Sequence, residues 1–428
     1  MTKLARLEDR ADLQISIVLL ASWAAITIAA KWGNWPPDLS ALFMAGHFWS
    51  MEDFGQVYAA PPAFFGAGVE SWALEIERLG FGGETFFPFV YPPIWAALAA
   101  PLAKTLGPAG FFNAFYVFHV SLIALSVVLS YRLIRPPVPL TLWCLICCVL
   151  LYISLIASSA LFHNQLQITV TFLIILAFER YKKGASITAG IALGLAAALK
   201  ITPAALGLIF LLDKDIRAAL STAATGLLLL ALSLAVAGPE MHMTFLSRIG
   251  VISEQIALMH VNWNIESGLF QLWALSSGTV LHTLPEMPNM AVREPLWVSI
   301  STKALLILGA ALVLWQTRNL SFENRLRTRP FGLLLILTLC APLGWSHHYL
   351  PVLLLLPALL TFMAPVRAII LLAAFGGLTS LPVFSILMDY GQSVHLQALV
   401  SIATLIAAFL LFFAKPLTFP AQDRSRAI

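Results

Sequence analysis

The fold class is decided by the stretch QITVTFLIILAFERYKKGASITAGIALGLAAALKITPAALGLIFLLDKD, residues 167–215. Apolar runs alternate in it with short charged connectors, and a helix of about 20 residues crosses the hydrocarbon core of a bilayer. The alternation continues along the chain, whose 428 residues are 60% hydrophobic and only 11% charged. A soluble domain carries roughly a quarter charged residues. The sequence therefore predicts an all-α polytopic membrane protein with a single domain, residues 1–428.

About thirteen apolar segments are candidates for membrane-spanning helices, and several are too short to cross alone. The first follows the polar segment MTKLARLEDR, and no small-x-small cleavage site precedes the next polar stretch, so we expect a retained anchor. The candidate segments are 15–30, 88–104, 111–131, 139–159, 165–179, 186–200, 203–213, 217–237, 297–315, 331–346, 349–363, 367–387 and 396–414.

The distribution of lysine and arginine predicts the orientation, because these residues collect in cytoplasmic connectors. The N-terminal segment and the connectors 180–183, 214–217 and 318–329 carry the excess. By contrast, the insert 31–87 holds seven acidic residues and two basic ones. We therefore predict a cytoplasmic-membrane protein with two large extracytoplasmic loops, 31–87 and 238–296, the second containing amphipathic helices along the membrane surface.

The charge pattern conflicts with strict alternation of the segments, which would place the basic connector 180–183 outside. Between residues 55 and 160, the candidate segments must therefore include one that does not cross the membrane, or lack one that does. The segment 88–104 contains Pro88, Pro92, Pro93 and Pro101 and is the candidate for a re-entrant or partial span. Such a segment is tolerated where protein or a watery cavity shields its free backbone groups.

Each acidic site in the first insert has two possible roles, one structural and one in catalysis or substrate binding. Asp38 follows Pro36 and Pro37, so it is placed either to cap the next helix or to act as a general base at the membrane surface. Glu52 and Asp53 form a second acidic pair, which either faces solvent or contacts substrate.

Lys200 lies between two apolar runs, where a lysine costs about 3 kcal/mol unless it reaches the interface or a partner. It therefore either extends to the interface or binds an anionic group such as a phosphate. Two further polar breaks, His163–Gln165 and His347–His348, fall on the same predicted outer face and are either turns or substrate contacts. The second insert adds His260 and Asn264.

Several classes of site are not indicated. The cysteines Cys144, Cys147, Cys148 and Cys340 lie in apolar runs and read as packing residues. The adjacent His347 and His348 would point about 100° apart on a helix and make a poor metal chelate. No phosphate-binding glycine loop, nucleophile elbow or nucleic-acid module is present in the sequence, so we expect no nucleic-acid partner and no metal.

Four stretches resemble glycosyltransferase family 87, in the family's order. The likeness is fairly strong through their order and spacing together with the AALKITP element, although Leu42 replaces a more usual aromatic residue and His163 a more usual glycine. The stretches are PDLSALFMAG (37–46), FVYPPIWAALAAPLA (89–103), the long run 164–220 and PLGWSHHYLPVLLLLPALL (342–360).

The resemblance implies a GT-C-type fold and a hexosyltransferase, mannose being the family's usual sugar, that uses a polyprenyl-phosphate sugar. It implies inversion without a metal or other cofactor, with Asp38 as the catalytic base, and a glycolipid or glycan as acceptor. The residues that we expect to bind substrate are Lys200, His347, His348, Asn164, Gln165, Tyr91, Glu52, Asp53, His260 and Asn264. The alternatives are a transporter or flippase of a lipid-linked sugar, and a membrane scaffold without catalytic activity.

Overall fold

The structure is a computed structural model that describes residues 3–60, 68–278, 290–390 and 394–414. The first half contains helices α1 (Lys3–Lys31), α2 (Pro37–Ser50), α3 (Glu70–Arg78), α4 (Ile94–Ile134), α5 (Leu140–Ile153), α6 (Leu155–Phe162), α7 (Gln167–Lys182), α8 (Ser186–Leu199) and α9 (Gly207–Leu212). The second half contains α10 (Ile216–Ser253), α11 (Ile265–Ser277), α12 (Leu296–Thr317), α13 (Phe322–Leu339), α14 (Leu350–Leu355), α15 (Pro365–Leu378), α16 (Leu381–Tyr390) and α17 (Leu396–Phe413). Short 3-10 helices cover Phe54–Gln56, Thr202–Leu206, Ser346–Tyr349 and Leu356–Thr361.

The helices confirm the prediction of an all-α polytopic membrane protein. Within the described residues, five helices are long and apolar enough to cross a membrane, and a sixth span results if α6 and α7 count together. The apolar surface agrees with this, since Leu227, Leu228 and Ile307 are each at least 60% exposed. Such a surface suits lipid rather than water. The larger number of crossings expected from the sequence stays a prediction.

The two longest helices are each broken at one glycine. In α4, Gly107 has φ 62° and ψ 179°, and in α10, Gly238 has φ 72° and ψ 167°. A proline follows each glycine, so the chain turns where a backbone hydrogen bond is missing. The first arm of α4, residues 94–106, is about 20 Å long and too short to cross the hydrocarbon core. This supports the expectation of a partial span at 88–104.

Ion pairs and hydrogen bonds place the basic connectors together at one face. Glu179 at the end of α7 pairs with Arg132 at the end of α4, with 3.0 Å between Oε1 and Nε. Asp12 of α1 accepts hydrogen bonds from the backbone of Leu140 and Thr141 at the start of α5. Because only five residues separate the end of α4 from the start of α5, these contacts put the end of α7 on the same face as the start of α1. The basic connector 180–183 then returns to the side of the N-terminus, as its charge predicts.

The insert 238–296 differs from its prediction in one respect. The strands β1 (Gln255–Leu258) and β2 (Met290–Arg293) pair antiparallel, with Gln255 opposite Arg293. The expectation of surface helices was therefore wrong for these residues, and His260 lies in the loop after β1. The period of two in such short strands gives too weak a pattern to separate them from helix.

Close packing fixes α2 against α4. A Cβ atom added at Gly46 would lie 2.9 Å from the carbonyl carbon and Cβ of Ala99, so the two helices approach as closely as glycine permits. Phe43 on the same helix packs edge-on against Phe111 and Phe112 of α4. The helix that follows the first span is thus part of the core and not a surface segment.

We expect Gly46→Ala to lower the thermal unfolding temperature in detergent, because overpacking of a tight contact costs about 1–3 kcal/mol. The matched control is Gly226→Ala in α10, where an added Cβ would meet nothing within 4 Å. Equal unfolding temperatures for the two variants would contradict the close contact between α2 and α4.

Candidate functional site

A cavity of about 160 Å³ lies at the end of the molecule opposite the basic connectors. Four segments form its walls: the start of α2, the irregular segment before α4, the turn between α6 and α7, and the segment before α14. Its polar lining side chains are Asp38, Tyr91, Ser159, His163, Gln165, Trp345 and His347. Asp38 is the one carboxylate among the described residues that line it.

Asp38 lies in the first turn of α2, but it does not cap that helix. The N-cap residue is Pro36, which makes no side-chain capping bond. The Asp38 carboxylate instead accepts a hydrogen bond of 2.5 Å at Oδ2 from Gln165 Nε2. The capping alternative was therefore wrong, because the partner comes from the turn between α6 and α7 and not from the backbone of α2. The side chain is 18% exposed, which leaves it accessible from the cavity.

A chain of hydrogen bonds sets the orientation of the Gln165 amide. Tyr91 donates its hydroxyl hydrogen to Gln165 Oε1 over 3.0 Å, so the Nε2 group is turned toward Asp38. Tyr58 in turn donates its hydroxyl to the backbone oxygen of Tyr91 over 2.5 Å. Because each partner fixes the next, one carboxylate oxygen of Asp38 is held in place while the other keeps no hydrogen bond within the described residues.

The turn between α6 and α7 carries the residues predicted at 163–165. The two helices meet at a bend of 120°. Asn164 adopts φ 48°, a left-handed conformation that asparagine tolerates better than most residues. Its buried side chain contacts His119 Nδ1 at 2.7 Å and donates to the Phe112 backbone oxygen at 3.3 Å. Asn164 therefore stabilises the turn by bonding to α4, whereas Gln165 lines the cavity.

Two histidine side chains form another part of the cavity wall. His163 Nδ1 lies 3.6 Å from Asp38 Oδ1, and the rings of His163 and His347 are 6.2 Å apart. His347 is 5% exposed, and its Nε2 is buried without a hydrogen-bond partner among the described residues. Buried polar atoms are normally paired, so an unpaired one that borders a cavity marks a place for a ligand.

His348 connects this wall to Lys200. Its Nδ1 lies 3.0 Å from the Leu343 backbone oxygen, so Nδ1 carries the hydrogen and donates it. Its Nε2 is then an acceptor for the ammonium group of Lys200, 2.8 Å away. The rings of His347 and His348 meet edge-on at 4.7 Å. Neither Lys200 nor His348 is among the lining residues, and Lys200 is connected to the cavity wall through His348 and then the ring of His347.

The remaining predicted residues lie away from the cavity lining. Glu52 and Asp53 are exposed after the end of α2. Asn264 is buried and donates to the backbone oxygens of Ala341 and Pro342, which shapes the segment before His347. His260 contacts Gln397, and burial lowers the pKa of its imidazole, so the ring is neutral at pH 7. Their predicted roles in substrate binding remain untested.

Sequence reasoning named His163 within a polar break that is either a turn or a substrate contact, but did not include it among the residues expected to bind substrate. Its position before Asn164 was a usable signal, because a polar residue at a break between two apolar helices must face a partner or a cavity.

Within the described residues, no group of three or more histidine, cysteine, aspartate or glutamate side chains is arranged to hold a metal ion. The four cysteines are buried and unpaired by disulfides.

We expect His347→Leu to leave the thermal unfolding temperature unchanged or to raise it, because the change removes a buried polar atom that lacks a partner. The control is Asn262→Leu at a buried side chain that bonds to Ala257, Asn264 and Gly344. Loss of those bonds should cost about 1–3 kcal/mol. If His347→Leu destabilised the protein as much as Asn262→Leu, His347 would be a structural residue.

Comparison with known proteins identifies a curated relative. A curated relative in Mycobacterium tuberculosis is a polyprenol-phosphate-mannose-dependent alpha-(1-2)-phosphatidylinositol mannoside mannosyltransferase, 28% identical over 309 residues. The aligned part covers 66% of this chain and 65% of the relative, so it spans slightly less than two thirds of the relative's length.

A sequence model of glycosyltransferase family 87 matches residues 89–343. This range contains Tyr91, Gln165 and Lys200, whereas Asp38 and His347 lie outside it. Since the match covers more than half of the 428 residues and agrees with the four resembling stretches, the chain belongs to glycosyltransferase family 87.

Proposed function

We propose that this protein is a polyprenyl-phosphate-sugar-dependent hexosyltransferase, with mannose as the transferred sugar. It moves the sugar to an acceptor hydroxyl at the extracytoplasmic face of the cytoplasmic membrane. The observation that carries the proposal is that one carboxylate, Asp38, lines the same cavity as His347, whose Nε2 has no hydrogen-bond partner among the described residues. Membership in the family and the mannosyltransferase relative support the class of reaction.

Asp38 acts as the general base in this reaction. The acceptor hydroxyl gives its proton to Asp38 Oδ1 as its oxygen forms a bond to C1 of the donor sugar. The bond from C1 to the phosphate oxygen breaks on the opposite side, so the configuration at C1 is inverted and polyprenyl phosphate leaves. No general acid is needed, because the phosphate monoester is already a good leaving group. The hydrogen bond from Gln165 holds Oδ2 and orients the carboxylate for the proton transfer.

Histidine nitrogens in the cavity supply the donors for the departing phosphate. His347 Nε2 and His163 Nδ1 are buried nitrogens without hydrogen-bond partners among the described residues. The amino group of Lys200 bonds to His348 over 2.8 Å and, when protonated, contributes positive charge from behind it. Donors and charge placed where negative charge develops stabilise a transition state most effectively in a site with little water.

The position of the cavity supports an extracytoplasmic reaction. The turn at 163–166 and the basic connector at 180–183 are at opposite ends of α7. Because lysine and arginine mark the cytoplasmic side, the cavity opens toward the other side of the membrane. A lipid-borne phosphate at the bilayer surface would reach Asp38 there. The acceptor would be a glycolipid or glycan, as the phosphatidylinositol mannoside in the name of the M. tuberculosis relative illustrates.

The direct test uses the full-length protein in liposomes with a polyprenyl-phosphate mannose donor and octyl α-mannoside as acceptor. Asp38→Asn should lower the rate of transfer about 10²- to 10⁴-fold, because a positioned general base typically contributes that much. The control is Glu84→Gln, at an exposed carboxylate of the same loop, and it should retain the wild-type rate.

Two outcomes would contradict the proposal. Full transfer by Asp38→Asn would remove Asp38 as the base. Movement of intact donor across the bilayer, without release of free polyprenyl phosphate, would make the protein a flippase.

A further inference from the structure

A second groove, of about 380 Å³, lies beside the catalytic cavity. The end of α2, the 3-10 helix Phe54–Gln56 and the residues around the break of α10 form its walls. The lining residues that supply aromatic rings or a carboxylate are Trp49, Phe54, Tyr58 and Glu240. None of them is used in the proposed transfer step, apart from the bond that Tyr58 makes to Tyr91.

Aromatic rings form one wall of this groove. Trp49 and Phe54 pack edge-on, with ring centroids 5.0 Å apart and planes at 72°, and Phe54 is 45% exposed. The indole N–H of Trp49 has no hydrogen-bond partner within the described part of the chain. Hexose rings present faces of C–H bonds, which pack against aromatic rings, while their hydroxyls seek donors and acceptors at the rim.

Polar groups complete the groove on the α10 side. Glu240 is exposed, and its carboxylate forms no ion pair or hydrogen bond within the described residues. Thr244 lies one turn further along and donates its hydroxyl to the Glu240 backbone oxygen over 3.1 Å. A carboxylate is an acceptor with two oxygens and can receive hydrogen bonds from neighbouring sugar hydroxyls. The mixture of aromatic and acidic groups suits a carbohydrate better than a lipid chain.

Tyr58 connects the groove to the cavity that contains Asp38 through one hydrogen bond. Its ring borders the groove, while its hydroxyl donates to the backbone oxygen of Tyr91, a residue that lines the cavity with Asp38. Arg248 on the second arm of α10 donates to the Tyr58 backbone oxygen over 3.1 Å and fixes it from the other side. A sugar chain bound in the groove would therefore be held next to the cavity that contains the base.

We propose that this groove binds the carbohydrate part of the acceptor, with Trp49 and Phe54 stacking on a sugar ring and Glu240 accepting its hydroxyl hydrogens. The assignment rests on the proposed function, because it presumes a glycosyl acceptor. It makes Trp49 and Glu240 determinants of acceptor affinity that take no part in donor binding or proton transfer.

The experiment measures initial rates with polyprenyl-phosphate mannose and an octyl α-mannotrioside, each varied in turn. A chain of sugars is needed because the 11 residues of α2 from Asp38 to Trp49 span about 17 Å. Glu240→Gln and Trp49→Ala should each raise the KM for the trioside about 10-fold, as expected for loss of one charged hydrogen bond or one stacking contact. The KM for the donor and kcat at saturating acceptor should stay at the wild-type values.

Glu84→Gln provides the matched loss of an exposed carboxylate, and Met243→Ala changes a residue that is 66% exposed on the same arm of α10 but does not line the groove. Both controls should keep the wild-type acceptor KM. Thermal unfolding at the wild-type temperature establishes that each variant is folded, and Glu240→Gln, a surface change, tests the groove even if Trp49→Ala does not fold.

The outcomes separate the two proposals. If the wild-type protein transfers mannose and Glu240→Gln keeps the wild-type acceptor KM, the groove assignment is wrong while the proposed function stands. Equal changes in donor and acceptor KM would also overturn it, because they indicate a structural role. If the wild-type protein transfers no sugar to any acceptor, the proposed function fails and the groove assignment fails with it.

Discussion

The site depends on one constraint, which is that a broken span must satisfy its polar groups inside the protein. The bend of 120° between α6 and α7 frees backbone groups that hydrocarbon cannot hydrate. The His163 backbone oxygen accepts from Leu39 N at the start of α2, and the Asn164 side chain is held between His119 and Phe112. These bonds join the turn to α2 and α4 and bring Gln165 to Asp38. The same contacts that make the break tolerable therefore build the cavity.

Satisfied and unsatisfied polar groups divide the residues around the cavity into two sets. Asn164, Asn262 and Asn264 are fully engaged and shape the segments that carry the site. His163 and His347 retain nitrogens without hydrogen-bond partners among the described residues. Because an unsatisfied buried atom costs free energy, one that borders a cavity gains stability when a ligand or water completes its bonds. This division supports assigning ligand contacts to the histidines and positioning roles to the asparagines.

Periodicity and charge predicted most of the architecture, because apolar run length and the distribution of arginine and lysine are imposed by the bilayer itself. The partial span before Gly107 was expected from its prolines, and the clustering of the basic connectors from their charge. The sequence did not predict the pairing of Gln255 with Arg293, because two strands of four residues give too short a pattern to recognise. Asp38 was correctly placed at the start of a helix, but its partner Gln165 lies 127 residues away in the chain. Contacts of that separation depend on the packing of α2 against the turn, which no local pattern encodes.

The central claim is that donor phosphate and catalytic carboxylate share this cavity, and a structure with polyprenyl-phosphate mannose bound to Asp38→Asn protein tests it most directly. The account predicts the phosphate within hydrogen-bonding distance, about 3 Å, of His347 Nε2 or His163 Nδ1. The anomeric carbon should then lie between the phosphate and residue 38, with room for an acceptor hydroxyl. Phosphate bound at the face of the basic connectors around Lys182 and Arg325, with the cavity empty, would contradict the account.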